Sequence, residues 1–213
     1  MYPIYGTPLI KHVVNRVKKS KKISKIVVAT SSNKDEKKLI DYLKKNKIKV
    51  FEGDLNNVAL RLYKTARLYK KNFFIRISGD SPLIDYKIIE RALAIFKNSK
   101  KKYDLVTNVF PRTFPQGQSV EIIKTSLIKN NIKKFTKQDK EHVTKYFYDN
   151  SKKFNIKNFI YMGNKKKKKL SIDTKKDLKN ILSTINKKKF LNILKNNENY
   201  NSNYWNGYWS KAP

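Results

Sequence analysis

One candidate catalytic carboxylate lies in the stretch RISGDSPLID, residues 76–85. The apolar run NFFIRI leads into this stretch, so a predicted strand ends just ahead of Gly79 and Asp80. Asp80 could instead cap the following turn or helix, but Asp85 stands directly before the helical pattern YKIIERAL and is better placed as its N-cap. Asp80 is therefore available to bind a ligand at the end of a strand.

A second carboxylate, Asp173 in LSIDTKKDL (residues 170–178), precedes a helix that begins at a Thr. Its position fits an N-terminal cap and a ligand-binding function equally well. Two carboxylates from distant strand ends suit a hard divalent cation, because Mg²⁺ is held by one or two carboxylates while substrate phosphates complete its octahedron. The residues alone leave this pairing open; because both also lie in motifs that match in order along the chain, we predict that Asp80 and Asp173 converge within about 8 Å and share one Mg²⁺.

Strands and helices alternate along the chain, and this alternation determines where the two carboxylates lie. Apolar residues at helical spacing predict helices, and short apolar or alternating runs predict strands. The predicted helices cover residues 7–19, 34–47, 57–71, 86–99, 126–135, 140–150 and, as one or two helices, 174–196; the predicted strands cover residues 25–32, 49–53, 72–78, 104–110, 119–124 and 154–163. This order predicts an α/β fold with a mostly parallel sheet and helices on both faces, in which ligands bind at the carboxyl ends of the strands.

The composition limits the class of protein. At 213 residues, the chain is long enough for one sizeable domain with its own core. It has no cysteine, which excludes disulfides and Cys-based zinc sites or nucleophiles. Its apolar runs are far shorter than the roughly 20 residues that span a bilayer, and its start, MYPIYGTPLI, lacks a signal-peptide pattern. We therefore expect a cytoplasmic protein without a membrane partner.

The net charge of +34 admits a second class of function, a basic nucleic-acid-binding domain. The charge is spread along the whole chain, is nearly all Lys, and accompanies abundant Asn, Ile, Tyr and Phe, all residues with A/T-rich codons. No helix-turn-helix, zinc-finger or RNP-like pattern is present. The composition thus favours solvent-facing lysines over a dedicated nucleic-acid surface.

Several motifs in a fixed order resemble those of one enzyme family, the SpsF-type cytidylyltransferases, which are similar to the acylneuraminate and 3-deoxy-manno-octulosonate cytidylyltransferases. The resemblance covers roughly residues 2–185, and IRISGDSPLID is its strongest segment. The other matching segments are GTPLIKHVVNRVKKS, ISKIVVATSS, VFEGDLNNVALRLYKTA, TNVFPRTFPQGQSVEII, KEHVT and SIDTKKDL. The resemblance implies a three-layer, Rossmann-like fold of the nucleotide-diphospho-sugar transferase type.

The same resemblance implies a reaction, in which a sugar-acid hydroxyl attacks the α-phosphate of CTP, pyrophosphate leaves and a CMP-sugar forms for surface polysaccharide biosynthesis. Such enzymes position the reactants and neutralise phosphate charge with cations, here Mg²⁺. They are commonly dimers. The implied roles fall into three groups: Asp80 and Asp173 hold Mg²⁺; Thr30, Ser31, Arg61 and Gly79 lie around the nucleotide; and Arg112, Gln118, Glu121 and His142 face the acceptor sugar.

Several of these residues also have structural interpretations. Arg112 could be a surface arginine, and strand alternation alone accounts for Gln118 and Glu121 equally well. His142 could be a hydrogen-bonded helix histidine, and for His12 in the first helix we favour that interpretation. Relatives often carry an acidic residue where this chain has Ser119, which leaves the identity of the acceptor open.

The resemblance also implies a missing element. Family members begin with a strand and a Gly- and Arg-containing loop that wraps the triphosphate, whereas MYPIYGTPLI corresponds to the residues just after that loop. We expect a persistent gap between the strands KIVVAT and NFFIRIS, and a chain that lacks activity without roughly 20–25 upstream residues. A non-catalytic remnant that binds sugar nucleotide is thus an alternative to the enzyme. We expect the domain to span residues 1–195, followed by an aromatic, Asn-rich tail over 196–213.

Overall fold

The structure is a computed structural model that describes residues 3–162, 169–184 and 187–195. The predicted tail, residues 196–213, lies outside the described residues. The helices are α1 (Leu9–Val17), α2 (Lys37–Lys45), α3 (Val58–Leu68), α4 (Tyr86–Asn98), α5 (Thr125–Asn131), α6 (Lys137–Glu141), α7 (Lys145–Asp149), α8 (Lys175–Thr184) and α9 (Lys187–Lys195). The strands are β1 (Pro3–Ile4), β2 (Thr7–Pro8), β3 (Val27–Ser31), β4 (Lys49–Gly53), β5 (Phe73–Arg76), β6 (Leu105–Thr107), β7 (Glu121–Lys124) and β8 (Ile156–Asn158).

Two predicted helices differ from the observed elements. The helix expected over 7–19 begins only at Leu9, because Thr7 and Pro8 pair with β1 in a short antiparallel hairpin. The helix expected over 140–150 is divided into α6 and α7, with His142 at the end of the first. The prediction of one continuous helix over 140–150 was therefore wrong. The break coincides with a tertiary contact in the candidate active site.

The strands form separate sheets. β3 and β4 make a parallel pair, and a four-stranded sheet has the order β5-β7-β6-β8. Within it, β7 is antiparallel to both β5 and β6, while β6 and β8 are parallel. Three of these four strands therefore share one direction and only β7 opposes them.

Helices cover both faces of the four-stranded sheet, as the α/β prediction requires. Adjacent residues of a strand point to opposite faces, and here they join different clusters. Val106 and Ile122 pack with α1 and α4. Leu105 and Ile123 pack instead with α3, α5 and α7. The predicted three-layer α/β class is thus confirmed.

The gap expected between the third and fifth strands is present. β3 and β5 do not pair with each other, and a cavity of about 600 Å³ separates them. Its walls include both strands together with residues of α1, α3 and α4. We call this cavity the interstrand slot. The helices that pack on either side hold the two strands apart, so the sheet does not close.

Arg16 joins the first helix to the last one. Its side chain is 1% exposed, and it donates from Nε to the carbonyl of Ile84 (2.9 Å) and from Nη1 to the carbonyl of Ile193 (3.3 Å). Asp85, whose carboxylate caps α4 by accepting from the Lys87 amide, attracts the Arg16 charge. The N-cap function predicted for Asp85 is therefore confirmed. His12 also has a structural contact, since its Nε2 lies 3.2 Å from the carbonyl of Ile4.

Lys19 gives the fold a measurable pH dependence. Its Nζ is buried without a hydrogen-bond partner in the described part of the chain, and burial, with the nearby Arg16 charge, lowers the pKa of Lys19 from 10.5 to about 8. Between these two values the unfolded chain binds more protons than the folded chain, so stability rises with pH. Lys19→Met should remove this rise.

The measurement is the urea midpoint at pH 7 and at pH 10. We expect the stability advantage of Lys19→Met over the parent chain to be largest at pH 7 and to shrink by pH 10. Lys18→Met, at the exposed neighbouring position, is the matched control and should follow the parent at both values. Parallel pH profiles for the parent and Lys19→Met would refute the assignment.

Candidate active site

Asp80 lies four residues beyond the end of β5, where its backbone contacts the segment that carries Asp173. The Asp80 carbonyl accepts a 2.8 Å hydrogen bond from the amide of Ile172, the residue just before Asp173. The Asp80 carboxylate accepts a hydrogen bond from the Ser81 hydroxyl at 2.7 Å. The structure thus brings together the two segments that the sequence paired. Their shared Mg²⁺ stays a prediction.

The Asp173 segment is held from its other side by the loop that precedes β7. The Leu170 amide donates to the Gln116 carbonyl at 2.8 Å, and Gln116 forms a parallel bridge with Lys169. Gly117 makes this close approach possible. Its φ is +90°, and an added Cβ would lie 2.5 Å from the carbonyl carbon of Leu170. Only glycine combines that backbone conformation with that proximity.

The cap of α8 is provided by residues other than Asp173. The Thr174 hydroxyl accepts from the Asp177 amide (3.2 Å), and the Asp177 carboxylate accepts from the Thr174 amide (2.9 Å). The Lys169 ammonium pairs with both carboxylates, at 2.7 Å from Asp173 and 2.9 Å from Asp177. The hydrogen bond from Lys169 is the largest of the causes that lower the pKa of Asp177 to about 2. The Asp173 carboxylate is half exposed and is not needed as the cap.

The predicted nucleotide-side residues cluster at the carboxyl ends of β3 and β4. Ser31 ends β3 and lies opposite Gly53, the last residue of β4. The Arg61 side chain lies against Gly53, since a Cβ there would be 3.0 Å from its Cγ, and its Nη1 donates to the Asp54 carbonyl at 2.6 Å. Burial lowers the pKa of the Arg61 guanidinium. Thr30 precedes Ser31 and is also buried.

Two of these side chains retain buried polar atoms without a protein partner. The Ser31 Oγ and the Arg61 Nε make no hydrogen bond within the described ranges. A buried polar atom without a partner is costly, and such atoms commonly bind a ligand or water. Gly79 lies on the far side of the interstrand slot, where an added Cβ would be 3.4 Å from Ile10.

Glu121 is the centre of a buried polar cluster at the carboxyl ends of β5 and β6. It is 2% exposed and lies opposite Arg76 in one ladder and opposite Thr107 in the other. Its Oε2 pairs with the Arg76 Nη1 at 2.5 Å. Its Oε1 accepts from the Thr144 hydroxyl (2.8 Å) and the Tyr148 hydroxyl (2.6 Å). Strand alternation alone does not explain so many polar partners.

Thr144 and Tyr148 were missed by the sequence analysis. Burial, followed by the Glu121 charge, raises the pKa of Tyr148, so this hydroxyl stays a donor. The ring of Tyr148 is stacked on Phe110, with centroids 4.6 Å apart and planes 8° apart. The break between α6 and α7 lets Thr144 turn toward Glu121. The signal that could have found both residues is their i, i+4 spacing just after the KEHV motif.

The remaining predicted acceptor-side residues occupy different environments. Arg112 is exposed and donates from Nη1 to the Ser119 hydroxyl at 2.9 Å. His142 is exposed at the end of α6. Gln118 is 2% exposed, and its amide group bonds to the backbone of Asp85 (2.9 Å) and Leu83 (2.7 Å). Gln118 therefore stabilises the interior, and its predicted contact with the acceptor gains no support from its position.

The described residues offer few other functional features. Within the described ranges, no three or more His, Cys, Asp or Glu residues group together as metal ligands, so a cation site here would rest on two carboxylates. None of the helices in this same part of the chain has both the length and the apolar character that crossing a bilayer requires.

Comparisons with known proteins agree on one family and one fold. A family model described as cytidylyltransferase matches residues 1–201. The spore coat polysaccharide biosynthesis protein SpsF of Bacillus subtilis is 25% identical over 188 residues, which are 84% of this chain and 76% of that protein. A solved cytidylyltransferase from Leptospira borgpetersenii is 29% identical with a TM-score of 0.80, and the match covers 90% of this chain and 83% of that one.

A more distant structure shows the same fold. The CMP:2-keto-3-deoxy-manno-octonic acid synthetase solved with CTP is 13% identical, with a TM-score of 0.63 over 86% of this chain and 89% of that one. At this identity the likeness concerns the fold alone.

Gly117→Ala should destabilise the chain much more than Gly6→Ala. Both glycines have positive φ, but a Cβ at Gly6 meets nothing within 4 Å, whereas one at Gly117 clashes with backbone. We expect a loss of about 1 kcal/mol for Gly6→Ala and about 3 kcal/mol or more for Gly117→Ala. Urea unfolding provides the free energies. Equal losses would show that residues 170–171 do not lie against Gly117.

The Arg76–Glu121 pair should be strongly coupled. Removing one charge leaves the other without its partner, so the single variants Arg76→Gln and Glu121→Gln should each cost about 2–4 kcal/mol and the double variant less than their sum. The exposed pair Lys44–Glu52, at 2.9 Å, is the matched control, with an expected coupling below about 1 kcal/mol. Urea unfolding of both double-mutant cycles tests this, and equal coupling energies would contradict it.

Proposed function

We propose that this chain, which belongs to the cytidylyltransferase family, transfers CMP from CTP to a hydroxyl group of a sugar acid. The resemblance drawn from the sequence motifs is thereby confirmed for the family and for the fold. The observation that carries the proposal is the hydrogen bond between the Ile172 amide and the Asp80 carbonyl. It holds the Asp80 and Asp173 segments side by side at the carboxyl end of β5, where α/β folds bind their ligands.

The residues at this edge suit a divalent cation. Asp80 and Asp173 offer hard carboxylate oxygens, and the Asp173 side chain is half exposed beside the Lys169 ammonium group. In the proposal these two residues hold Mg²⁺, which when bound neutralises charge on the phosphate oxygens. Lys169 supplies a further positive charge next to Asp173, and an ammonium is a common partner for phosphate.

The nucleotide would lie at the ends of β3 and β4. The unpartnered Oγ of Ser31 and Nε of Arg61 are polar atoms that a nucleotide could satisfy. In the transfer, the acceptor oxygen bonds to the α-phosphorus while the bond from that phosphorus to the bridging oxygen of the β-phosphate breaks. Pyrophosphate leaves with that electron pair, and the hydroxyl proton is released. The chain's main task is to align the two substrates.

The acceptor would lie beside the Glu121 cluster. Phe110 and Tyr148 present a stacked aromatic pair there, with Phe110 38% exposed. Arg112 has an exposed guanidinium, which suits the carboxylate of a sugar acid because its donors match that group bidentately. The name of the relative SpsF supports a product used in surface polysaccharide biosynthesis.

Asp80→Asn and Asp173→Asn should abolish Mg²⁺-dependent use of CTP. Loss of a metal ligand removes several kcal/mol of charge stabilisation, so Mg²⁺-dependent CTP binding, together with whatever turnover the parent chain shows, should fall by about 100-fold or more. Isothermal titration with CTP, with and without Mg²⁺, and pyrophosphate release with a panel of sugar acids are the two measurements. Asp41→Asn, at an exposed position on α2, is the control and should match the parent chain.

These measurements distinguish an error in the assigned carboxylates from an error in the proposed function. CTP should bind in preference to ATP, GTP and UTP, and the preference should require Mg²⁺. CTP binding that is unchanged in both site variants would reject the assigned carboxylates. An absence of any nucleotide binding by the parent chain, with or without Mg²⁺, would reject the function.

A further inference from the structure

Lys169 lies between two carboxylates that are held in different ways. Its ammonium is 2.7 Å from the Asp173 Oδ2 and 2.9 Å from the Asp177 Oδ1. The Asp177 side chain is 12% exposed, and its carboxylate also accepts from the Thr174 amide and hydroxyl and from the Asp173 amide. The Asp173 carboxylate is half exposed, and the Lys169 ammonium is its one polar partner among the residues that the structure describes. Asp177 is therefore fixed by several bonds, whereas the Asp173 carboxylate is held by Lys169.

The backbone of Lys169 is anchored, so its side chain is the part that can move. Lys169 forms a parallel bridge with Gln116, and the next amide, that of Leu170, donates to the Gln116 carbonyl at 2.8 Å. The Lys169 side chain is 41% exposed, and a lysine carries its charge on a flexible four-carbon stem. The ammonium can therefore exchange one nearby anion for another while the backbone stays in place.

Stability alone does not account for the Lys169–Asp173 pair. Ion pairs between side chains as exposed as these contribute little, because water screens the charges and ordering both side chains costs entropy. The cap of α8 is complete without Lys169, since the Thr174 hydroxyl accepts from the Asp177 amide and the Asp177 carboxylate accepts from the Thr174 amide. The position of the ammonium therefore points to a function at the site.

The ammonium pairs with the carboxylate that the proposed function assigns to Mg²⁺. A divalent cation on Asp173 would lie close to the Lys169 charge, and like charges repel. Lys169 therefore opposes the binding of a metal ion alone. Phosphate oxygens reverse this effect, because they give a displaced ammonium an anionic partner to which it donates charge-assisted hydrogen bonds.

We propose that Lys169 is a resident cation that holds the Asp173 carboxylate in the metal-free chain and moves to the phosphate groups of the nucleotide when that carboxylate binds a divalent cation. Asp177 stays beside the ammonium and keeps it at this edge of the sheet. This assignment rests on the proposed function and adds a coupling to it, because the cation and the phosphates each bind weakly alone and strongly together. By linkage, each raises the affinity for the other by the same factor.

The first experiment measures the binding of Mn²⁺ alone, which takes the same oxygen ligands as Mg²⁺, by the electron paramagnetic resonance signal of the free ion. We expect Lys169→Met to bind Mn²⁺ at least about 5-fold more tightly than the parent chain, because the competing charge is gone. Lys169→Arg keeps the charge and should bind like the parent. Lys176→Met removes an exposed lysine of α8 that has no ion pair in the described part of the chain. It is the matched control and should change binding by less than about 2-fold.

A double variant locates the bound ion. Asp173→Asn in the Lys169→Met background should abolish the gain in Mn²⁺ affinity, because the carboxylate that Lys169 had occupied is then gone. Unchanged or weaker Mn²⁺ binding by Lys169→Met would overturn the proposal. A gain that persists in the double variant, or an absence of Mn²⁺ binding by both the parent and Lys169→Met, would overturn it as well.

The second experiment measures binding of the preformed Mn²⁺–pyrophosphate complex by isothermal titration. Here the expected order is reversed. Lys169→Met should bind the complex at least about 5-fold more weakly than the parent chain, because the contacts between the ammonium and the phosphates are lost, and Lys176→Met should again follow the parent. A lysine that only stabilises the fold does not change the two affinities in opposite directions. Changes of the same sign in both experiments, or no change in the second, would overturn the proposal.

Urea unfolding verifies that the variants are folded. The midpoint of Lys169→Met should lie close to that of the parent chain, since the pair that it removes is exposed, and Lys169→Gln takes its place if Lys169→Met unfolds. Pyrophosphate has no base, so these measurements are independent of the preference for CTP that tests the proposed function. Lys169 variants that match the parent in both experiments, together with Mg²⁺-dependent CTP binding, would refute the exchange and leave the transfer reaction standing.

Discussion

The hydrogen bond from the Ile172 amide to the Asp80 carbonyl joins two parts of the chain that lie 92 positions apart in the sequence. It is a backbone contact, so its geometry does not depend on rotamers of the two neighbouring carboxylates. The loop containing Gln116 and Gly117 fixes the other side of the same segment. Residues 170–172 are therefore held between two backbones, and this leaves Asp80 and Asp173 little freedom in their relative placement.

Acidic residues are scarce in this chain, 16 against 50 Lys and Arg. Several of them occupy buried positions, where replacing a carboxylate would leave its hydrogen-bond donors without a partner. Asp85 and Asp139 are buried and stabilise helix amino ends. Glu121 is buried among three donors. A buried carboxylate costs free energy unless it is hydrogen-bonded or paired, and each of these carboxylates accepts hydrogen bonds. The lysines, by contrast, are spread over many elements and many of those described are exposed, which agrees with a solvated surface.

Much of the fold follows from local signals in the sequence. The bounds of β4 and the start of α4 agree with the predictions, because apolar periodicity and an Asp N-cap are encoded within a few residues.

The break between α6 and α7 could not be predicted in this way. KEHVTKYFYDN has a continuous helical pattern, and the break coincides with the contact between Thr144 and Glu121, 23 positions earlier. The reversed direction of β7 and the burial of Gln118 are likewise set by tertiary pairing. Asp80 and Asp173 could be predicted as candidates because each lies in a motif with its own local context, and their function stays a prediction. Tyr148 could not be predicted in this way, because its partner Glu121 is distant in the sequence.

The buried guanidinium of Arg16 has a consequence for how the chain folds during synthesis. Its bond to the Ile193 carbonyl spans 177 positions, so α1 is made well before α9 and cannot complete its surroundings until α9 is present. At about 5–20 residues per second, translation of that interval takes about 10–35 seconds. During this time a charged side chain destined for the interior, and the apolar face of α1, remain open to solvent and to chaperones. Long-range contacts of this kind slow folding, and the packing of α1 is therefore complete only after α9 has formed.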